Sequence, residues 1–236
     1  MNIKVKNLGA LRQAEFTLGD LTIICGGNNT GKTYATYALF GFLHTWRQML
    51  SIEIKDDRIN QLLADGVINI NINEYVNQVE HIISKGCQTY TQQLPKIFAA
   101  PSERFRETKF EVILEEDIQL IDEYEQEIGS ANTKFFSITK KTDSIEMVVT
   151  LLVEREKIEI STEFIKRIIA DALKIIIFSR VLPNTFIASA ERTGAAIFRK
   201  ELNFARNRLL EEMSQTSKNI NPMELMFKVY QDYALQ

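Results

Sequence analysis

The sequence of 236 residues predicts an α/β fold, in which N-terminal antiparallel strands are followed by a mixed sheet with helical and antiparallel β insertions. Three observations support this fold class. Short segments that alternate apolar and polar residues open the chain, as half-buried strands do. The β-branched apolar run Leu21–Cys25 then leads through a glycine-rich turn into a helical pattern. Further segments between Phe110 and Ile160 show the period of two that is typical of strands.

The first two strands form a predicted hairpin. Ile3–Val5 and Ala14–Leu18 alternate, and Asn7–Ala10 between them has the composition of a turn. Gly19-Asp20 makes a second turn before Leu21–Cys25, which we expect to be a buried strand. Cys25 is therefore interpreted as a small apolar residue of the core.

A glycine-rich segment follows that strand. Gly26–Thr33 reads Gly-Gly-Asn-Asn-Thr-Gly-Lys-Thr and fits the pattern G-x-x-x-x-G-K-[ST] at every fixed position. Glycines allow positive φ, so that backbone N–H groups can point at a polyphosphate. Lys32 adds positive charge for the β- and γ-phosphates, and the Thr33 hydroxyl suits a Mg²⁺ ligand. Chance would produce this pattern about once in a hundred chains of this length. The alternative is a plain Gly/Asn turn, but the strand–loop–helix context favours nucleotide binding.

The chain from Lys32 to Phe98 is expected to be mainly helical. One helix is predicted from Lys32 to Trp46, and its apolar composition indicates packing on several sides. The segment Ile52–Phe98 is predicted as mostly helical, with a polar interruption at Asn69–Asn77. Pro95 predicts a break, because the residue before a proline avoids the helical region.

Strands are predicted again in the following fifty residues, over the segments 110–114, 134–139, 145–153 and 157–160. Lys141–Asp143 is a predicted hairpin loop. The acidic residues between Glu115 and Glu127 are interpreted as a solvated helix face, and a metal site is the less favoured alternative.

The last part of the chain returns to a helix–strand–helix pattern. A helix is predicted from Glu163 to Ser179, and Phe186–Ala190 has the composition of another buried strand. That strand would place Glu191 and Arg192 at its end, where parallel sheets bind ligands. A locally basic helix follows, with Arg199, Lys200, Arg206 and Arg208. Such a face can contact nucleic-acid phosphates, although a solvated or ion-paired face is the more common case.

Composition and charge exclude several classes of protein. The net charge of −3 does not indicate a polycation, and 45% hydrophobic residues suffice for a sizeable core. His44 and His81 lack companions at metal-ligand spacing, so a protein-built zinc site is not expected. The two cysteines, Cys25 and Cys87, indicate no disulfide framework. Without a long apolar run or a signal peptide, we expect a cytoplasmic protein and no membrane partner.

The order of hairpin, strand, Gly-x-Asn-x-x-Gly-Lys-Thr loop, helix and insertion resembles the N-terminal half of the SMC/RecF/Rad50-like ABC ATPases. Asn28 is typical of that branch. Ile3–Leu11 and Asp20–Gly26 look like stand-alone bacterial ATPases of the AAA_15/AAA_21 type, which include the OLD proteins. Within these, the resemblance is greatest to the PtuA ATPases of Septu and retron antiphage systems. Ala188–Arg192 is similar to the Ser-Ala-x-Arg-type sequence that follows the insertion in such proteins.

The resemblance implies a P-loop NTPase fold of the ABC/SMC type. Its regions would be an ATP-binding core over 1–50, a helical and antiparallel-β insertion over 51–180, and a return to the core over 181–236. The implied cofactors are ATP and Mg²⁺, with Thr33 as a Mg²⁺ ligand and Glu191 and Arg192 as candidate nucleotide-sensing residues. The implied nucleotide-binding residues are Gly26, Gly27, Asn28, Asn29, Thr30, Gly31, Lys32, Thr33 and Thr17.

The resemblance also implies a biological role. The chain would be the ATPase subunit of a bacterial antiphage-defence or DNA-processing complex, in which ATP-driven dimer closure regulates an associated effector nuclease. The implied partners are a second copy in a homodimer or higher oligomer, an HNH-type nuclease, and DNA or retron msDNA. The nucleic acid would bind through Arg199, Lys200, Arg206 and Arg208. The alternative is a structural or sensing module in which bound ATP is a static clamp without turnover.

Complete relatives carry further motifs: a Ser-Gly-containing signature, a hydrophobic strand ending in Asp-Glu (Walker B) and a switch histidine. None of these follows Arg192 here, and Val112–Glu116 is only a poor match to the Asp-Glu strand because it precedes Arg192. We therefore expect the N-terminal portion of a longer ATPase; a degenerate module completed by a partner is the alternative. No catalytic residue is assigned, and we expect ATP binding with poor turnover by this chain alone. A small GTPase or nucleotide kinase is disfavoured, since Asn-Lys-x-Asp is absent and Arg104 and Arg106 are weak support for a kinase lid.

Overall fold

A computed structural model describes residues 1–129, 133–153 and 161–185 of the chain. Apart from Lys96–Ala99, these residues belong to one compact unit, Met1–Pro95 with Ala100–Thr185. The strands are β1 Asn2–Leu8, β2 Leu11–Thr17, β3 Val67–Asn71, β4 Lys109–Ile113, β5 Tyr124–Gly129, β6 Lys134–Lys140 and β7 Glu146–Leu151. The helices are α1 Lys32–Met49, α2 Asp56–Asp65, α3 Asn73–Val76, α4 Val79–Ile97 and α5 Thr162–Phe178, with a 3₁₀ turn at Ser102–Phe105.

The first sheet is antiparallel and has the order β2-β1-β4. The β1–β2 hairpin turns through Gly9-Ala10, which confirms the predicted turn. Ile3 and Val5 alternate with exposed or half-exposed lysines and are fully buried, as the period of two predicts. At Asn7 the backbone takes a φ of +52°, and the next residue, Leu8, is again fully buried.

The second sheet is also antiparallel, with the order β3-β7-β6-β5. The predicted hairpin loop Lys141–Asp143 joins β6 to β7, and Asp143 takes a φ of +58° there. One face of the sheet is buried through alternating side chains of three strands: Ile68, Ile70, Phe136, Ile138, Met147 and Val149. Helix α2 contacts β3, β7 and α5, and it covers part of this unit's core.

An aromatic cluster fixes α1 against α4 and β4. The ring of Phe42 on α1 lies 5.5 Å from Tyr90 on α4 and 5.3 Å from Phe110 on β4, and the last two rings are 5.0 Å apart. The Tyr90 hydroxyl donates a 2.7 Å hydrogen bond to the carbonyl oxygen of Ala38. The two edge-to-face pairs, Phe42–Tyr90 and Tyr90–Phe110, each add about 0.5–1.5 kcal/mol beyond the burial of their surface. The helix that follows the glycine-rich loop therefore rests on a rigid support.

The predicted buried strand Leu21–Cys25 is wrong for the described structure. These residues form no strand, and the side chains of Leu21 and Ile23 are 81% and 76% exposed. Cys25 is exposed as well, so its interpretation as a core residue is also wrong. A strand requires a hydrogen-bonded neighbour, and none of the described residues pairs with this run. Both described sheets are antiparallel, so the predicted mixed sheet is not formed by this part of the chain.

Several predictions between Ile52 and Ser179 also require correction. The predicted interruption Asn69–Asn77 overlaps β3, Val67–Asn71, and the asparagines concealed the strand pattern in the sequence. Helix α4 ends at Ile97, within the predicted break Leu94–Phe98, but Leu94 and Pro95 are themselves still helical. The acidic run is not helical, because Glu125 and Glu127 lie on β5, where both are exposed. Helix α5 confirms the prediction to within one residue at each end.

The structure leaves some predictions untested. The predicted strands at 157–160 and 186–190 lie outside the described residues. The division into regions 1–50, 51–180 and 181–236 stays a prediction. Among the described residues, no helix combines the length and the apolar character that crossing a bilayer requires.

Candidate functional site

The glycine-rich segment Gly26–Thr33 forms an exposed loop that leads directly into α1. Every residue from Leu21 to Thr30 is exposed, and the helix begins at Lys32, as predicted. Asn29 and Gly31 take φ values of +60° and +92°. Such values are costly for most L-residues, and Gly31 carries the larger of the two without strain. The positive φ that the sequence predicts for glycines of this loop is therefore present at Gly31.

The Lys32 ammonium group folds back over the loop. It donates hydrogen bonds of 2.8 Å to the carbonyl oxygen of Gly26 and 2.5 Å to that of Gly27. The hydroxyl of Thr30 donates a 2.9 Å hydrogen bond to the same Gly27 oxygen. The side chains of Lys32 and Thr30 thus form hydrogen bonds within the loop. The two acceptors of the ammonium group are neutral carbonyl oxygens. Within residues 1–129, 133–153 and 161–185, no carboxylate forms an ion pair with Lys32.

The start of α1 offers further donors to an anion. The first N–H groups of a helix have no intrahelical acceptor, and the helix dipole makes this end partially positive. No side chain caps the helix at Gly31, and the first turn holds no acidic residue. Thr33 in this turn is exposed. The first amides of α1, the Lys32 ammonium group and the exposed Thr33 hydroxyl thus belong to one short segment, and groups of these kinds recognise phosphate.

Thr33 is the residue of this loop that suits a Mg²⁺ ion. Its exposed hydroxyl is an oxygen ligand of the kind that Mg²⁺ prefers, and the remaining ligands would come from phosphate oxygens and water. Within the described ranges, no group of three or more His, Cys, Asp or Glu side chains is arranged to hold a metal ion. The donor set thus fits a metal that arrives with a nucleotide rather than one held by the protein alone.

Thr17 lies at the end of β2, and its polar groups have partners within the protein. Its hydroxyl accepts a 3.3 Å hydrogen bond from the Asn2 side chain, and its carbonyl oxygen accepts one from the Thr22 hydroxyl at 3.5 Å. Among the described residues, none of Gly26–Thr33 forms a hydrogen bond with Thr17. Its assignment to the nucleotide site stays a prediction.

The other candidate residues cannot be placed. Glu191, Arg192, Arg199, Lys200, Arg206 and Arg208 lie outside the described residues. The segment Val112–Glu116, weighed above as an Asp-Glu strand, begins on β4, which pairs antiparallel with β1 at the edge of the first sheet.

The structure adds a contact that the sequence did not indicate: the tip of the β1–β2 hairpin lies against the loop. A methyl group placed on Gly31 would be 2.6 Å from Cγ of Leu11, and one placed on Gly9 would be 2.5 Å from Cε1 of Tyr34. The turn residues were recognisable in the sequence, but their packing against Gly31 and Tyr34 was not. Both glycines leave space that a side chain of the other element fills.

A second concave feature lies between α4 and β4. This cavity of about 690 Å³ is lined on one side by Val79, Ile83 and Cys87 and on the other by residues 108–114. Burial raises the pKa of the Cys87 thiol from 9.0 to about 12, although a hydrogen bond from the backbone of Val112 acts in the opposite direction. The thiol is therefore protonated and unreactive at neutral pH.

Comparison with known protein families gives a match over almost the whole chain. A family model described as AAA ATPase domain matches residues 1–234. No curated protein and no solved structure matches the chain.

Proposed function

The chain belongs to the AAA ATPase domain family, and from this premise we propose that Gly26–Thr33 binds ATP together with Mg²⁺. The observation that carries the proposal is the loop itself. Its residues Gly26–Thr30 are exposed, it runs directly into α1, and the Lys32 ammonium group donates to the neutral carbonyl oxygens of Gly26 and Gly27. A triphosphate satisfies these donors better than the loop's own carbonyl oxygens do, because hydrogen bonds between charged partners are about twice as strong.

Binding then proceeds through an exchange of partners. The Lys32 ammonium group leaves the carbonyl oxygens of Gly26 and Gly27 and pairs with phosphate oxygens, and the first amides of α1 donate to the same groups. The Thr33 hydroxyl would hold the accompanying Mg²⁺, and the ion would supply positive charge that offsets the negative charge of the phosphates. The protein contributes positioning and positive charge, which are the main requirements of phosphoryl-transfer chemistry.

We further propose the wider role that the sequence resemblance suggests. The chain acts as an ABC/SMC-type ATPase subunit of a bacterial antiphage-defence or DNA-processing complex, in the cytoplasm. ATP bound at one protomer's loop closes a dimer, and dimer closure regulates an effector nuclease of the HNH type. This role is supported by the sequence resemblance of Ile3–Leu11 and Asp20–Gly26 to the PtuA ATPases. Nucleic acid, as DNA or msDNA, binds through Arg199, Lys200, Arg206 and Arg208.

Calorimetric titration with Mg-ATP tests the binding proposal. We expect saturable binding by the wild type and its loss in Lys32→Ala. The matched control is Lys85→Ala, which removes an exposed lysine on α4 and leaves the loop intact. Absence of heat with folded wild-type protein, or equal binding by Lys32→Ala and the wild type, would contradict the proposal.

Measurements of ATP hydrolysis and of dimer formation distinguish an ATPase from a module in which bound ATP is a static clamp. An ATPase releases phosphate under single-turnover conditions, and its dimer fraction rises with ATP and falls after hydrolysis. A static clamp gives a dimer that persists with unhydrolysed ATP, and Lys32→Ala abolishes the dimer without changing any phosphate release. Light scattering coupled to size exclusion, run beside a phosphate assay, distinguishes these two outcomes.

A further inference from the structure

We propose that Leu11, at the tip of the β1–β2 hairpin, is a positioning residue for the phosphate-binding loop. This inference rests on the proposed function. Leu11 does not touch the nucleotide in this proposal. It acts through Gly31, whose backbone conformation sets the direction of the first amides of α1.

The contact between Leu11 and Gly31 is close. A methyl group on Gly31 would lie 2.6 Å from Cγ and 2.7 Å from Cδ2 of Leu11, and 3.4 Å from its backbone nitrogen. The leucine side chain therefore fills the space that a side chain on Gly31 would occupy. Gly31 is buried although the preceding ten residues are all exposed, and its φ of +92° turns the chain into the helix. The leucine thus supports the loop at the point where its direction changes.

A second contact reinforces the first. Gly9, in the same hairpin turn, lies against the ring of Tyr34, so that a methyl group on Gly9 would be 2.5 Å from Cε1 and 2.6 Å from Cε2. Tyr34 is in the first turn of α1, three residues after Gly31. The hairpin tip therefore contacts the start of α1 at two places, Gly31 and Tyr34. Two contacts limit both the translation and the rotation of the helix relative to the hairpin.

The hairpin tip is itself held in place. The Thr108 hydroxyl donates a 2.6 Å hydrogen bond to the carbonyl oxygen of Asn7, and the Asn7 side chain donates a 3.3 Å hydrogen bond to the carbonyl oxygen of Glu107. Thr108 is only 5% exposed, and β1 is paired on both sides, by β2 and β4. Because the hairpin tip is fixed in this way, Leu11 can hold Gly31 in one position. A binding group is held accurately when the side chains behind it are themselves fixed by packing and hydrogen bonds.

Substitution of Leu11 tests the inference, with affinity for Mg-ATP as the readout. Leu11→Ala should weaken binding roughly tenfold, the lower end of what removal of a supporting contact behind a ligand-binding group costs. Leu11→Met, which keeps the bulk of the side chain, should bind within about twofold of the wild type, because volume-conserving changes are tolerated. The matched control is Leu63→Ala on α2, another half-buried leucine of a different element. It should lower the melting temperature and leave the affinity unchanged.

A double substitution tests whether the effect passes through Gly31. Gly31→Ala places a methyl group where Cγ and Cδ2 of Leu11 lie, and Leu11→Ala removes both atoms. The two losses of affinity should therefore be less than additive when combined. Additive losses would show independent effects and overturn the proposed route.

The outcomes separate this inference from the proposed function. If the wild type binds Mg-ATP and folded Leu11→Ala binds equally well, the positioning role is wrong and the proposed function stands. If Leu11→Ala and Leu63→Ala lose affinity by the same factor, the effect is one of general stability and the positioning role is again wrong. If the folded wild type does not bind Mg-ATP, the proposed function fails and this inference fails with it.

Discussion

The Lys174 ammonium group on α5 donates a 2.5 Å hydrogen bond to the main-chain carbonyl oxygen of Arg47, in the last turn of α1. Lys174 is only 7% exposed, and Asp171 pairs with it at 2.6 Å. A cation at a helix C-terminus satisfies an unpaired carbonyl and complements the helix dipole. Helix α1, which follows the glycine-rich loop Gly26–Thr33, is therefore held at its C-terminal end by a residue 127 positions later in the chain.

This relationship gives the first prediction. Lys174→Met keeps most of the buried stem but leaves the Arg47 carbonyl oxygen without this donor. We expect the free energy of unfolding to fall by about 1.5–3 kcal/mol, the range for hydrogen bonds to charged groups. Urea denaturation measures the change. Lys85→Met, at an exposed position on α4, is the control and should change stability by less than about 0.5 kcal/mol. Equal effects of the two substitutions would show that Lys174 does not stabilise α1.

The second prediction concerns stability at alkaline pH. The unfolded Cys87 thiol loses its proton near its ordinary pKa of 9.0, whereas burial keeps the folded thiol protonated up to about pH 12. Between these values the folded state binds more protons, so the free energy of unfolding decreases as pH rises. One such group contributes up to about 1.4 kcal/mol per pH unit in this window.

Denaturation curves at pH 8, 9.5 and 11 measure this decrease. Cys87→Ala removes the thiol and should flatten the dependence, although Tyr90, whose pKa is also raised by burial, keeps part of it. An unchanged slope in Cys87→Ala would mean that the thiol is not protected in the folded state.

The third prediction uses the two cysteines as probes of the loop. Cys25 is exposed and directly precedes Gly26, whereas Cys87 is buried. A water-soluble disulfide reagent at pH 8 should therefore modify one thiol quickly in folded protein and two after denaturation. Saturating Mg-ATP should slow the fast reaction, because the bound triphosphate covers the loop beside Cys25.

Absorbance of the released thiolate follows this reaction. Cys25→Ser is the control and should show no fast phase. Equal rates for the two thiols in folded protein would contradict the described burial, and a fast phase that Mg-ATP leaves unchanged would count against nucleotide binding at this loop.

The fourth prediction compares two exposed threonines near the loop. The Thr30 hydroxyl donates to the carbonyl oxygen of Gly27 within the loop, whereas the Thr36 hydroxyl donates to that of Lys32 within α1. Thr30→Val should weaken Mg-ATP binding about fivefold, the equivalent of one hydrogen bond of about 1 kcal/mol. Thr36→Val removes a hydroxyl whose bond merely duplicates a helical one, and its affinity should match the wild type. Calorimetric titration of both variants with Mg-ATP measures the two affinities. A larger loss of affinity in Thr36→Val than in Thr30→Val would contradict the role of the Thr30 hydroxyl in the loop.

Local sequence features predicted local structure well. The hairpin turn at Gly9-Ala10, the start of α1 at Lys32, and helix α5 all agree with the sequence, because periodicity and glycine position act over a few residues. The same reasoning missed β3, where Asn69 and Asn71 alternate with buried isoleucines. Asparagine is depleted in strands, yet pairing with β7 and burial of Ile68 and Ile70 outweigh that weak preference.

The run Leu21–Cys25 shows the opposite error. Its composition is that of a buried strand, but strand formation depends on a neighbour that supplies hydrogen bonds and covers the side chains. None of the described residues does so, and the run is exposed. The composition of this segment is therefore suited to a buried strand, but without a paired neighbour among the described residues it forms an exposed loop.

The sequence by itself determined the glycine-rich loop Gly26–Thr33, since glycines, Lys32 and Thr33 at fixed spacing define its backbone and its charge within eight residues. The tertiary structure alone decided how that loop is supported. Leu11 packs on Gly31 across 20 residues of sequence, and Lys174 reaches Arg47 across 127. The physical reason is that φ preferences and charge are properties of the local chain, whereas packing partners are selected only when distant elements meet.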